Sequence, residues 1–375
     1  MVFALQRGDR TRLVRESSRL LLLLLTLLCF IFTVWALIGS KSRGWLREQR
    51  ASTSGCATTL AAAVEDLSRY NLPLETEFSK MVLNRTQTTP PYFYVTFHSD
   101  WDGLVSPAMR ANGGLFDAHI HRLFDLLLFR EKGVLERCRQ GRELVLDVGM
   151  NFGAFALYAV NRGCHVIAFE MQPNVAVAVL LASHLNGFSE RLQIVPHPVW
   201  SESNHTLMYY PRTDNMGGTH AIPLSPDAAS DHAVQLRTVR IADCVPLQST
   251  IRFMKLDVEG SEYETLLGML GLLKRRKVLN LVMELQPEPL YSKAVQLLYS
   301  LGYQCVELQS LPIDKTHDAR SLLPYFKSKP ATEADYWRAF NFHGNDLWCI
   351  PWFMGKGIQR FFEASLKIRH RCSST

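Results

Sequence analysis

From residue 144 to residue 308, short, nearly continuous apolar runs alternate with longer stretches in which apolar positions recur at helical spacing. The short runs lie at 144–148, 165–169, 192–196, 251–257 and 278–284. Runs of that length with few polar interruptions are expected of strands buried on both faces of a parallel sheet. The intervening stretches, 153–161, 174–186, 261–273 and 290–301, read as helices, with further strands expected at 304–308 and 346–350. Strand and helix in strict alternation predict an open α/β sheet. Ahead of it, Tyr92 to Phe97 reads as a strand, and Phe116, Ile120, Leu123, Phe124, Leu127 and Leu128 make a helical stripe over 116–129 that packs on the sheet. Two segments break the rhythm. Asp102 to Gly114, rich in turn residues, reads as a lid or as a plain surface loop, and 198–242 as a substrate cover or a solvated insertion.

The N-terminal pattern is different. Leu20 to Gly39 is uncharged and apolar, and at 1.5 Å per residue it would span roughly 30 Å, about the hydrocarbon core of a bilayer. The run is longer than a usual signal-peptide core and no small-x-small site follows Ile38, so a transmembrane signal anchor is expected. The arginines before it slightly outnumber the basic residues after it. With the tripeptides Asn84-Arg85-Thr86 and Asn204-His205-Thr206, this suggests a type II, single-pass membrane protein of the Golgi or endoplasmic reticulum with a lumenal catalytic domain. The expected organisation is a basic tail at 1–19, the anchor at 20–39, a polar stem at 40–84, the main domain at 85–353 and a basic tail at 354–375.

Charge changes the picture once it is located. The 375 residues carry a formal +6, but residues 1–50 hold nine of the 41 Lys/Arg and three of the 35 Asp/Glu, so the body is neutral. That balance disfavours a nucleic-acid partner, which would call for a basic stripe. The eight cysteines include no CxxC pair, so no zinc or redox centre is indicated, and both disulfides and buried thiols stay open.

Candidate chemistry gathers at the ends of the predicted strands. The first ends with Asp147 and a turn bracketed by Gly149 and Gly153, with Met150, Asn151 and Phe152 between them. Glycines there let a ligand approach backbone amides, but the spacing is not the Gly-x-Gly-x-x-Gly that grips a pyrophosphate. The second strand ends in Glu170, placed to accept hydrogen bonds from two ribose hydroxyls, so a nucleoside lacking a diphosphate fits both facts. Lys255, Asp257 and Glu259 crowd the end of the fourth strand, and Glu284 ends the fifth. Such crowding is unfavourable unless the charges pair or face a ligand.

The segments Leu-Asp-Val-Gly-Met-Asn-Phe-Gly at 146–153, Val-Ile-Ala-Phe-Glu at 166–170, His-Leu-Asn at 184–186 and Lys-Leu-Asp-Val-Glu-Gly-Ser-Glu at 255–262 resemble, in order and spacing, the FkbM family of S-adenosylmethionine-dependent methyltransferases. The resemblance runs from about Tyr94 to about residue 310. It implies a Rossmann-like class I methyltransferase sheet, S-adenosyl-L-methionine as cofactor and transfer to a hydroxyl, often of a sugar. It also implies that Asp147, Gly149, Asn151 and Gly153 form the methionine-side turn and that Glu170 holds the ribose. Asp257 and Glu259 would stand near the reacting centre, with Glu259 or Glu284 as base and Lys255 tuning the charge. No metal ligand set is proposed. The acceptor is expected to be a glycan, a glycoconjugate or a related small molecule. The competing readings are a catalytically inactive binding module on the same fold and a nicotinamide oxidoreductase, which the glycine spacing disfavours.

Overall fold

The computed structural model describes residues 59, 62, 81–87, 91–98, 102–129, 133–212, 215–223, 233–285, 289–313, 322, 325, 326 and 345–351. The chain divides into units 1–53 and 54–375, and only the second contains described residues. The first described strands, β1 (Met81–Arg85) and β2 (Tyr94–His98), form a hairpin, and β1 begins inside what the sequence suggests is stem. Helices α1 (Val105–Ala111) and α2 (Ala118–Phe124) follow. The expected helix over 116–129 changes character at Asp125, where a π turn runs to Phe129 and the Tyr158 hydroxyl donates to the Asp125 carboxylate at 2.5 Å. Helix α3 (Val134–Arg139) then leads into the main sheet.

In that seven-stranded sheet β3 (Glu143–Val148) is the middle one of five parallel strands. On one side lie β4 (His165–Phe169) and β5 (Leu192–Val195), on the other β9 (Thr250–Leu256) and β10 (Leu281–Leu285), all parallel. Helices α4 (Ala154–Asn161) and α5 (Pro173–Leu185) form the crossovers between β3, β4 and β5. Beyond β10 the order is less regular. The last strand, β12 (Asn345–Pro351), inserts antiparallel between β10 and β11 (Tyr303–Glu307). The chain leaves β3 in one direction for β4 and β5 and returns on the other side as β9. The crevice at the carboxyl ends of β3 and β9 is therefore the switch point at which open α/β sheets bind ligands.

Alternation along the strands builds a core on each face. Val145, Phe253, Val282 and Trp348 point to one, Leu146, Val148, Met254 and Met283 to the other. The expected helix 261–273 is broken into α7 (Glu262–Leu267) and α8 (Leu270–Lys274), and Gly268 between them lies so close to Trp200 that a Cβ would sit 2.2 Å from its carbonyl oxygen. The 198–242 insertion forms a small antiparallel sheet of β6 (Thr206–Tyr209), β7 (Ile222–Pro223) and β8 (Val234–Arg237), followed by the short α6 (Ile241–Cys244). Disulfides join Cys138 to Cys164 and Cys305 to Cys349, the latter across β11 and β12, and Cys244 is also disulfide-bonded. Helix α9 (Pro289–Ser300) links β10 to β11.

The expected membrane anchor is corrected. Among the described residues no helix is long and apolar enough to cross a membrane. The longest, α5 with 13 residues, reaches about 20 Å where a bilayer core needs about 30 Å. Residues 20–39 lie outside the described residues. The transmembrane signal anchor, the membrane as a partner through Leu20 to Gly39, and the type II placement in Golgi or endoplasmic reticulum therefore have no helix among the described residues to carry them. The basic tail at 354–375 also lies outside the described residues.

Candidate active site

The β3 turn is shaped by its neighbours. Gly149 has φ +78°, and a Cβ there would lie 1.6 Å from the Asp257 carbonyl oxygen. Gly153, at φ +72° before α4, would drive a Cβ to 2.7 Å from Val179 of α5. Both glycines are thus required by packing of the chain on itself, whereas the sequence suggests room for a ligand. The amides of the turn are likewise engaged: Gly149 and Met150 donate to the Phe169 carbonyl at 3.0 and 2.9 Å, and Gly153 to that of Met150 at 2.8 Å.

Asn151 joins this turn to the end of β4. It is left-handed (φ 49°), and its amide donates to Glu170 Oε2 at 2.9 Å, while the Gln172 amide donates to Oε1 at 2.8 Å. Burial pushes the Glu170 carboxyl up to about 7, against the pull of these two amides. Each oxygen keeps a further lone pair for a ligand. The same device recurs at the end of β9, where the Val258 and Gly260 amides each donate at 3.0 Å to opposite oxygens of buried Glu262. Sequence reasoning gave Glu262 no role, although it closes the 255–262 segment.

Between these turns lies a cleft with an empty volume of about 580 Å³, part of it open to solvent. Of the residues singled out from sequence, Gly149, Asn151, Glu170, Asp257 and Glu259 line it. Asp147, Gly153, Lys255 and Glu284 do not. Asp147 sits behind the turn, 1% exposed, with Oδ2 accepting the Ala156 amide at 2.8 Å and Oδ1 unpartnered. Burial raises its carboxyl to about 6, although Lys255 pulls the other way. The lining to which sequence reasoning gave no role includes Gln172 and His197 near the strand ends, while the 198–242 segment, read as a substrate cover or a solvated insertion, supplies Leu207, Gly217, Thr219 and Ala221. The insertion is tied down over the cleft, since Gln172 Nε2 donates to the Met216 carbonyl at 2.9 Å and the Met216 amide to Asp102 at 3.4 Å.

Asp147, Lys255, Glu284 and Asp346 share one face of the sheet with Val145, Phe253, Val282 and Trp348, one residue from each of the adjacent strands β3, β9, β10 and β12. Asp147 is in register with Lys255, and Glu284 with Asp346. Burial alone would discharge Lys255, but Asp257, Asp147 and Asp117 keep it protonated, and its Nζ lies 2.6 Å from Asp257 Oδ2. Asp257, Glu259 and Glu284 bring carboxylate oxygens within 4.8 Å of one another, a spacing that a cation could share. Lys255 already supplies positive charge there. Burial, then the neighbouring carboxylates, raise Glu259 to about 8 and Glu284 to about 9.

A family model described as the methyltransferase FkbM domain matches residues 147–305, from Asp147 on β3 to Cys305 on β11. The chain is an FkbM-like, S-adenosylmethionine-dependent methyltransferase. Among solved structures, this methyltransferase is similar to human methyltransferase 10 domain containing protein, at 11% identity over 65% of this chain and 91% of that one, with a TM-score of 0.31. It is also similar to precorrin-6y C5,15-methyltransferase from Geobacter metallireducens GS-15, at 12% identity over 59% and 88%, with a TM-score of 0.26. No curated protein matches it.

Proposed function

We propose that this methyltransferase methylates a hydroxyl oxygen of a glycan, glycoconjugate or related small molecule, with S-adenosylmethionine held in the cleft at the ends of β3, β4 and β9. The observation that carries this reading is the cleft's surplus of hydrogen-bond acceptors. Glu170 keeps unused lone pairs on both oxygens, Asn151 Oδ1 is buried without a partner, and Asp257 and Glu259 stand at the far side. A ligand suited to it brings donors and positive charge, as ribose hydroxyls, an α-ammonium and a sulfonium do.

In this reading Asp147, Gly149, Asn151 and Gly153 shape and brace the methionine-side turn, and Glu170 accepts from the ribose. Asp257 stands beside the reacting centre, its charge balanced by Lys255. When bound, S-adenosylmethionine supplies an electrophilic methyl group and its own leaving group. The protein's work is alignment and management of one proton. Glu259 and Glu284, the candidate bases, are held largely protonated at neutral pH, so they orient the hydroxyl more readily than they take its proton. The test is transfer of labelled methyl to a glycan panel by the full chain. Glu170→Ala and Glu259→Ala are expected to lose transfer while keeping their fold, and unchanged transfer would refute these assignments.

A further inference from the structure

We propose that His119, oriented by Asp346, is the general base that removes the proton from the methyl acceptor's hydroxyl. The inference rests on the methyl-transfer reading above. His119 opens α2, and its Nε2 lies 2.6 Å from Asp346 Oδ2 at the start of β12. An ionised carboxylate only accepts, so Nε2 carries the hydrogen and Nδ1 presents its lone pair. Gln309 Nε2, 3.3 Å from the same Nε2, is then a close contact and not a donor to the ring; among the described residues Nδ1 makes no hydrogen bond, and the side chain is 30% exposed. Gln309 clamps the carboxylate: its Nε2 donates to Asp346 Oδ2 at 3.1 Å and its Oε1 accepts the Asp346 amide at 2.9 Å. A base within hydrogen-bond reach of a third group that fixes its tautomer is the geometry that proton abstraction needs.

The dyad belongs to the same edge of the sheet as the cleft. Asp346 is the cross-strand partner of Glu284, which puts the two side chains on one face about 5 Å apart, and Glu284 reaches Asp257 and Glu259 of the cleft wall. Asp117, just before α2, feels Lys255, Asp346, His119 and Asp257 together. Among the described residues the titratable groups around His119 are therefore Asp117 on its own segment, Asp346 and Glu284 on the sheet, and Lys255 and Asp257 beyond them. The other histidine of α2, His121, is buried against Phe155 at 4.4 Å with both nitrogens unpartnered, and burial lowers it to about 3. It stays neutral and enclosed. In the step, the acceptor oxygen bonds to the methyl carbon as the carbon–sulfur bond breaks, its electron pair stays on sulfur, and the hydroxyl proton moves to His119 Nδ1, leaving an imidazolium against Asp346.

Two measurements on the full chain test this. With ¹⁵N-histidine labelling and His119→Gln to assign the signal, the neutral imidazole is expected to carry its hydrogen on Nε2, and Asp346→Asn to mix the tautomers. A hydrogen on Nδ1 in the unaltered protein overturns the proposal. In transfer to the glycan panel, His119→Gln is expected to lose about 100-fold or more in kcat while binding S-adenosylhomocysteine within twofold of the unaltered protein, and free imidazole to restore part of the rate of His119→Ala. Transfer by His119→Gln within threefold of the unaltered chain, or loss of S-adenosylhomocysteine binding together with transfer, overturns it. An unaltered chain that binds no S-adenosylmethionine removes the methyl-transfer reading itself, and this inference with it.

Discussion

Strand β3 begins and ends in a buried carboxylate, and the protein treats the two in opposite ways. Glu143, at the amino edge of the sheet, accepts two hydrogen bonds from Arg252 at 2.8 Å and one from Arg137 at 2.8 Å. Burial pushes its carboxyl up, but these guanidinium contacts outweigh that and hold it below its usual range. Asp147, four residues on, gets one backbone amide and keeps an oxygen with no partner. Its carboxyl is raised, as are those of Glu170, Glu259 and Glu284 at the same edge. A carboxylate answered by side-chain cations is a structural clasp, closed to anything else. One held by backbone amides at the cleft, as Glu170 is, keeps lone pairs with which to meet a ligand.

The largest expected effect comes from closing the carboxyl edge. Gly149→Ala places a Cβ against the Asp257 carbonyl at a backbone angle that L-residues rarely adopt, and should cost more than about 4 kcal/mol, read as a collapse of the denaturation midpoint. Next comes opening the amino edge. Glu143→Gln leaves two guanidiniums facing a neutral group, an expected loss of about 3–5 kcal/mol, measured by urea titration; a loss under about 1 kcal/mol would erase the contrast between the two ends.

The pH dependence separates the ends by sign. Asp147, Glu170 and Glu259 are raised to about 6, 7 and 8, above their unfolded values near 4. Their contribution to stability is complete below those unfolded values and is lost as pH rises through 6 to 8. Glu143 does the reverse: its contribution is present above its unfolded value and is lost as pH falls through its depressed folded one. The ligand-free protein is thus expected to melt at progressively lower temperature between pH 6 and 8, and Glu143→Gln to remove part of the decline on the acid side. A flat profile from 6 to 8 would contradict the placement of the raised carboxyls. The smallest change is expected of Asp147→Asn, within about 1 kcal/mol of the unaltered protein, because an amide oxygen can still accept from Ala156. A loss matching that of Glu143→Gln would show Asp147 to be a clasp too.

Much of the fold was legible in the residues. The apolar runs locate the parallel strands to within a few residues, since a strand covered on both faces has little choice but to be apolar throughout. Less of the site was. Lys255, Asp257 and Glu259 crowd one predicted strand end, but regular strand pairing ends at Leu256 and Glu259 turns left-handed at φ 51°. Asp257 and Glu259 therefore face the cleft while Lys255 points toward Asp147 and the Phe155 ring, its Nζ 5.2 Å from the ring centre. The glycines were recognised as special, yet the reason, contact with Asp257 and Val179, depends on segments far along the chain.

Sequence by itself determined the alternation of strand and helix, the glycine-bracketed turn after Asp147 and the acids that end the neighbouring strands, because these follow from local periodicity and residue type. Tertiary structure alone decided that β12 returns antiparallel between β10 and β11, bringing Asp346 to His119 from 227 positions away. It also decided that the insertion closes over the cleft. Local pattern carries no record of which distant strand pairs with which, and pairing is what sets the company a charged side chain keeps.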